Sequence, residues 1–579
     1  MDAAFLNHLL TTLVSLLVLV IWIIALLGVG NVVLQVLRVA ESEPAYVSVK
    51  AWLGLAVTVS LVESLHLFFP VRWPMSMAIG ALGLIGFVAD RHARNVIASA
   101  VIGLVTRRRM VAAIGTVVLF LWISRSLSNP ADYDAGLYHY GAIKWINHDS
   151  IVPGLGNLHG RFAFNQSYFG FLALLNVAPF WMLGYTTGGL LLMTLVAMTI
   201  IEIHIWRRDA GMWIPASLLV ATASQARYLG SPTPDLAIAL LQLVCFALVF
   251  KILSHGKEQR SGMQGDELAL LALCVLMPTV KLSATLFAAG CISILFMACA
   301  VRWFRHPVQL LIVGIVCALA MTVHLGRGLL LSGAPLYPST LAGNWSLEWS
   351  VPIEMVRAEA SWVYSWARSP GLTPDQVLGN WDWISLWMYR LPIRGWILFA
   401  IAMFMALADG FLAWRGWTSR RARHHYLLYI PLVISVVFWF FTAPDLRFLG
   451  LVPELLAVLS GWLLVQRWNA AEPAAKVSKW RFRQVMLLWV VIALFSCVSE
   501  ESFSGIRSVP VVETGIKWTD AGLKVVVPLE GDQCWLSPLP CTPYFQSKLT
   551  SRPVEILPGY FRDGFVHLRS PGGGLQVNN

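Results

Sequence analysis

Apolar runs long enough to cross a lipid bilayer recur along the whole of this chain, and no other feature restricts its possible folds as much. A hydrocarbon core of about 30 Å takes a helix of roughly 17–25 apolar residues. Inside lipid every backbone polar group must be satisfied internally, which leaves helices or closed barrels. By this length criterion about fourteen runs qualify: 9–36, 51–69, 74–89, 110–126, 184–206, 212–229, 233–252, 266–281, 284–302, 307–325, 393–412, 427–442, 449–466 and 484–500. Composition agrees, with 57% of 579 residues hydrophobic and 13% charged, where a soluble domain carries about 25% charged residues. The expected fold is mainly α, a polytopic membrane helix bundle. The first run has an acidic flank and no small-residue cleavage site after it, so it reads as an uncleaved anchor.

Lys and Arg concentrate in alternate connections: 91–110, 206–209, 251–260, 302–306, 415–425 and the stretch Arg467 to Arg483. Cytoplasmic loops carry such an excess, so this set is expected in the cytoplasm. The intervening regions then face the other side. The organisation that follows is membrane spans in 1–126, a first large outer loop in 127–183, spans in 184–325, an outer loop in 326–392, spans in 393–500 and an external C-terminal domain in 501–579. The net charge of +11 is accounted for by topology and by contact with membrane lipids, without a nucleic-acid partner.

Of the eight cysteines, Cys245, Cys274, Cys291, Cys299, Cys317 and Cys497 lie in apolar runs, where a thiol behaves as a small hydrophobe. Cys534 and Cys541 lie in the expected external tail and close a plausible disulfide loop in an oxidising compartment. The tail also carries strand-like runs at 523–528 and 553–557. No CxxC, HExxH or zinc spacing is present, so no cofactor or metal is expected.

The chemistry concentrates in residues 129–167, NPADYDAGLYHYGAIKWINHDSIVPGLGNLHGRFAFNQS. A helix over Ala135 to Trp145 puts Asp134 at its positive end, with Asp132 just ahead and Tyr138 and His139 a turn on. A carboxylate beside an imidazole suits general-base work on a hydroxyl, whereas an isolated Asp there would be a helix cap. Gly154, Gly156 and Gly160 allow close backbone approach, and Asn157, His159, Arg161 and Asn165 supply donors. The apolar segment 168–183, broken by Pro179, reads as an interfacial or re-entrant helix. The Trp-rich stretch 326–392 reads as amphipathic helices along the outer surface.

Other polar groups sit at expected outer helix ends: Asp235 in RYLGSPTPD, Lys281 in PTVKLSA, Arg327 and Tyr337 in GRGLLLSGAPLYPST, and Arg447 in TAPDLRF. A lysine inside an apolar run costs about 2.5–3.5 kcal/mol at a helix centre, so Lys281 either snorkels outward or meets an anion. Arg447 and Lys281 are the preferred pair for a lipid phosphate. Glu63 and His66, three apart in the second run, read as a satisfied pair.

These motifs together resemble the GT-C superfamily of integral-membrane glycosyltransferases: DYDAGLYH in an outer loop after a helix, APLYP and PDLRF in later outer loops, and a C-terminal external domain. YDAGLYHYGAIKWI, VPGLGNLHGRFAFNQS and the GDQCW and PLPCTPYF tail are similar to a group of bacterial multispanning proteins. The resemblance implies a polyprenyl-phosphate-linked sugar donor and inverting transfer to a glycan or glycolipid acceptor at the outer face of the bacterial inner membrane. It assigns the base to Asp134, with Asp132 as alternative. One departure is about three spans ahead of the helix that leads into the acidic motif. The competing classes are a transporter or flippase, or a polymerase or ligase, of lipid-linked glycans.

Overall fold

The computed structural model describes residues 3–40, 47–107, 109–130, 132–176, 184–206, 213–254, 262–415, 423–471, 491, 509–551 and 564–567. Among these, eight helices are long and apolar enough to cross a membrane: Leu6–Val36, Val47–His66, Arg109–Ser126, Pro234–Ser254, Leu282–Trp303, Pro307–Ser332, Gly395–Trp414 and His424–Thr442. A ninth arises if Trp73–Ala89 and Arg91–Gly103, bent by 82°, count as one broken span. Fourteen were expected. The helices Trp213–Ser224 and Gly265–Val280 have 12 and 16 residues, and at 1.5 Å per residue they fall short of a hydrocarbon core of about 30 Å. The run 484–500 lies outside the described residues except for position 491.

The first three helices, Ala3–Val36, Val47–His66 and Trp73–Ala89, pack backbone to backbone through glycine. A Cβ on Gly28 would lie 1.6 Å from the Gly83 carbonyl oxygen, and one on Gly54 would lie 1.9 Å from that of Leu26. Close approach of this kind lets helices associate in lipid, where apolar side chains gain little by meeting one another. Asp90 stops the third helix and caps the next, accepting from Ala93 N at 3.0 Å, while its other oxygen pairs with Lys50 Nζ at 2.5 Å. Similar matched charges tie other helices together. Lys251 pairs with Asp266 at 3.3 Å and Arg467 with Asp409 at 2.7 Å, while Arg302 and the Trp303 indole both donate to Glu267. Buried charges persist only when paired, and these pairs hold many of the basic connections that the sequence marks.

A further buried network corrects the expected Glu63–His66 pair. Glu63 pairs with His324 Nδ1 at 3.0 Å and lies 3.5 Å from Arg327 Nε, and Arg327 Nη1 lies 2.8 Å from His66 Nδ1. His66 turns its other nitrogen to the Asp149 carbonyl at 3.1 Å. The helical i, i+3 spacing suggested a local pair, but a guanidinium arriving from Pro307–Ser332 separates the two. That helix runs past position 325, so the following outer loop begins after Ser332.

The expected outer elements gather at one end. Of the segment 168–183, expected as an interfacial or re-entrant helix, Ser167–Leu175 is a helix in which every residue is buried, and 177–183 lie outside the described residues. A helix apolar all round belongs inside a bundle. The middle loop contains Ile353–Arg368, Pro374–Val377 and Trp383–Arg390. It exposes Trp362, Trp366 and Trp381.

The tail pairs Thr514–Trp518 antiparallel with Lys524–Pro528 and Leu549–Ser551 with Phe565–His567, and Cys534 is bonded to Cys541. The strand-like run 553–557 lies outside the described residues, as does Cys497. Cys245, Cys274, Cys291 and Cys299 are buried thiols and Cys317 is half-buried.

Candidate functional site

The acidic motif follows the helix Arg109–Ser126 and enters a π-helical turn, Ala135–His139, that continues as Tyr140–His148. The expected helix over 135–145 is thus present, with a wider first turn. Single π-turns recur where side chains need re-aiming, and here all five residues of the turn are buried while Asp132 and Asp134 stay part-open. The tail holds this turn in place. Trp535 N donates to the Gly136 carbonyl at 2.9 Å, and its indole covers Gly136 so closely that a Cβ there would lie 2.4 Å from the ring. Lys144 Nζ donates to the carbonyls of Leu536 and Ser537 at 3.0 and 2.7 Å, and the Tyr133 hydroxyl donates to Asp532.

Both oxygens of Asp134 are occupied by guanidinium groups from distant parts of the chain. Oδ1 accepts from Arg161 Nη1 at 2.7 Å, and Oδ2 from Arg447 Nη1 at 2.9 Å across 313 positions. Arg161 stands on the 3₁₀ turn Gly160–Phe164, capped by His159, whose Nδ1 accepts from Arg161 N at 3.2 Å. Arg447 stands on Leu446–Leu449, capped by Asp445, and stacks on Phe448 at 4.8 Å. The opposing carboxylate therefore sits where two capped turns converge. Burial alone would raise the Asp134 carboxyl, but Arg447 and then Arg161 outweigh it and hold the group below its ordinary value.

Asp132 lies alongside. Its Oδ2 accepts from the Ser231 hydroxyl and lies 3.5 Å from His139 Nδ1. Burial opposes its ionisation, but His139 and Ser231, with Arg447 beyond, lower it to about 2. Lys281 joins the cluster from the other side, pairing with Asp235 and lying 4.2 Å from the centre of the Phe448 ring that Arg447 also covers. It meets an anion, the second of its two expected fates. Tyr138 is buried beneath Arg161 at 5.7 Å.

Asp132, Asp134 and His139 also present ligand atoms within 4.8 Å of one another, the spacing of a metal set, although no metal was expected. The fit is poor. Asp134 has both oxygens engaged by cations, and a divalent ion there would face two guanidinium groups at close range.

Other expected site residues serve elsewhere. Asn157 donates to the carbonyls of Trp349 and Phe565 at 2.8 and 3.1 Å, tying loop to tail. His159 is buried between Phe162 and Tyr544, and burial with the nearby Arg161 charge lowers it to about 3, so it stays neutral. Asn165, in the left-handed region at φ 51°, donates to the His324 carbonyl at 2.8 Å and accepts from Arg327. Arg327 is thereby committed to the Glu63 network and does not reach Asp134. Its side chain nonetheless lines, with Arg161, His66, Asn165 and Phe162, a cavity of about 40 Å³ behind the site. That space has room for water behind the arginines.

Three groups were absent from the sequence reading or placed in it without a partner. Glu359, on the middle-loop helix, lies 3.6 Å from Arg161 Nε. The Tyr337 hydroxyl, placed by sequence but not paired, lies beside Glu359 over Gly160. Tyr544 of the tail comes within electrostatic reach of Arg161 and Glu359. The available signal for Glu359 was helical spacing: Val356, one turn earlier on the same face, is fully buried.

No curated protein and no solved structure matches this chain. A family model described as Domain of unknown function (DUF8201) matches residues 12–452. Covering as it does most of the chain, that match makes this protein a member of the family.

Proposed function

We propose that this protein is a GT-C-type glycosyltransferase that moves a sugar from a polyprenyl-phosphate carrier to a glycan or glycolipid acceptor at the outer face of a bacterial inner membrane. The observation that carries the proposal is the pair Arg161 and Arg447 closing on Asp134 at 2.7 and 2.9 Å. Two guanidinium groups brought together from separate loops form a bidentate anion clamp. Their exposure, 29% and 34%, leaves them open to a ligand, and Lys281 adds a third cation across Phe448. Neighbouring aromatic faces and tyrosine hydroxyls suit a sugar ring.

In this reading the acceptor hydroxyl attacks the anomeric carbon while a carboxylate of the cluster takes its proton. The lipid phosphate leaves with the bonding electron pair, its growing charge held by Arg447, Arg161 and Lys281. The resemblance assigns the proton to Asp134, or else to Asp132. The helices Gly184–Trp206, Trp213–Ser224, Gly265–Val280 and Val452–Ala471, with 484–500, would complete a bundle of up to fourteen membrane segments. The basic connections would then face the cytoplasm, with the site and the disulfide-bearing tail outside.

The transporter reading draws on charges within spans, Glu63, His324 and Arg327. These are matched to one another at 3.0 and 3.5 Å, as a structural lock requires.

The test pairs genetics with binding. Envelope glycans from cells lacking the protein should lose one specific sugar by mass analysis. Purified Arg447→Ala should bind undecaprenyl phosphate about 10- to 100-fold more weakly, the loss of one charge-assisted hydrogen bond. Unchanged glycans, or unchanged affinity in the variant, would refute the proposal.

A further inference from the structure

Asp134 is badly placed to receive a proton. Each of its oxygens already accepts from a guanidinium, and protonating it would leave two cations facing each other in a half-buried site. Asp132 is similarly engaged by Ser231 and His139. An inverting transfer still needs a base next to the acceptor hydroxyl.

Glu359 meets Arg161 at Nε, whereas Asp134 takes Nη1. At 3.6 Å from Nε its Oε1 is close enough for attraction but too long for a hydrogen bond. The carboxylate is 22% exposed, so a ligand in the site can reach it. Across Gly160 it faces the Tyr337 hydroxyl: a Cβ on that glycine would lie 2.8 Å from Tyr337 Oη and 3.1 Å from Glu359 Oε2. The absence of a side chain at Gly160 lets a carboxylate and a phenol close over it, beside one of the two clamp arginines.

We infer that Glu359 is the general base of the transfer, and that Asp134 is a positioning residue that sets the two arginines. The inference rests on the transferase reading above. The acceptor O–H bond breaks and its proton passes to a Glu359 carboxylate oxygen. The acceptor oxygen forms the new bond to the anomeric carbon, and the bond from that carbon to the phosphate oxygen breaks, its electron pair departing on the lipid phosphate. Burial pushes the Glu359 carboxyl up, against the pull of Arg161. That is the direction in which a carboxylate becomes a better base near neutral pH.

The experiment uses right-side-out membrane vesicles carrying the full chain with their own donor and acceptor, following the sugar lost in the deletion strain from mildly acid to neutral pH. Wild-type transfer should rise with pH as the base ionises. Glu359→Gln should be slower by about 10²–10⁴-fold and lack that rise, while Glu359→Asp keeps a rising limb at reduced rate. Both purified variants should still bind undecaprenyl phosphate, Glu359→Gln at least as tightly as the wild type because it removes a negative charge beside Arg161, which shows the site is folded. A Glu359→Gln variant that keeps the wild-type rate and pH limb overturns the inference and leaves the transferase reading standing. A deletion strain with unaltered glycans overturns that reading itself.

Discussion

Removing the negative charge from Asp134 should tighten phosphate binding, although the residue stands at the centre of the site. In the free protein Asp134 compensates Arg161 and Arg447 through contacts of 2.7 and 2.9 Å. A phosphate held by the same two arginines must share them with this carboxylate. With charges about 6 Å apart and an effective dielectric of about 40 in this half-open site, the repulsion is about 332/(40 × 6), or roughly 1.4 kcal/mol. Asp134→Asn removes that repulsion and keeps an oxygen able to accept from a guanidinium. Undecaprenyl phosphate should therefore bind the variant about tenfold more tightly, and raised salt should shrink the difference because the site is partly solvated. Titration of the purified proteins in detergent reads the effect directly, with Arg447→Ala as the opposite control. Weaker binding by Asp134→Asn would refute the reasoning. It would mean that phosphate does not bind between the two arginines, or that the one remaining amide oxygen no longer positions both of them.

Three further outcomes follow from the geometry. Gly136→Ala places a methyl group 2.4 Å from the Trp535 ring and should cost about 1–3 kcal/mol as an overpacked contact; faster limited proteolysis of the tail would report its release. Asp132 is held at about 2 against an ordinary 3.8, so its contribution is present above about pH 4 and lost as pH falls through about 2. Thermal stability should drop by roughly 2 kcal/mol across that window, and Asp132→Asn should flatten this part of the profile. Glu63→Ala strips the counter-charge from buried Arg327 and His324 and should destabilise by about 3–5 kcal/mol, read as a lower melting temperature of the purified protein, with undecaprenyl phosphate affinity unchanged at low temperature.

What the sequence made legible, and what it hid, separates along a physical line. Helix formation by apolar runs is local, and the longest, such as Leu6–Val36 and Pro307–Ser332, could be read from composition alone. The disulfide was legible for the same reason, since Cys534 and Cys541 stand only seven apart. The residues that meet at Asp134 were recognisable singly, as polar groups at expected outer helix ends. Which of them meet depends on how the helices are arranged, and spacing along the chain does not encode that. Arg447 and Arg327 looked alike in sequence, yet one reaches Asp134 and the other is consumed by Glu63. Asn157 and His159 looked like ligand donors because polar groups in a glycine-rich loop suggest contact with something outside. They turn out to satisfy carbonyls and a backbone N–H where loop, tail and middle segment join. Glu359 was hidden most deeply. It is one of two acids, with Glu354, on an amphipathic surface helix, and its approach to Arg161 is set by the docking of that helix. A carboxylate with two close cations and one with a single distant cation are chemically different groups. It is this difference, created wholly by tertiary packing, that makes Asp134 an anchor and leaves Glu359 free to accept a proton.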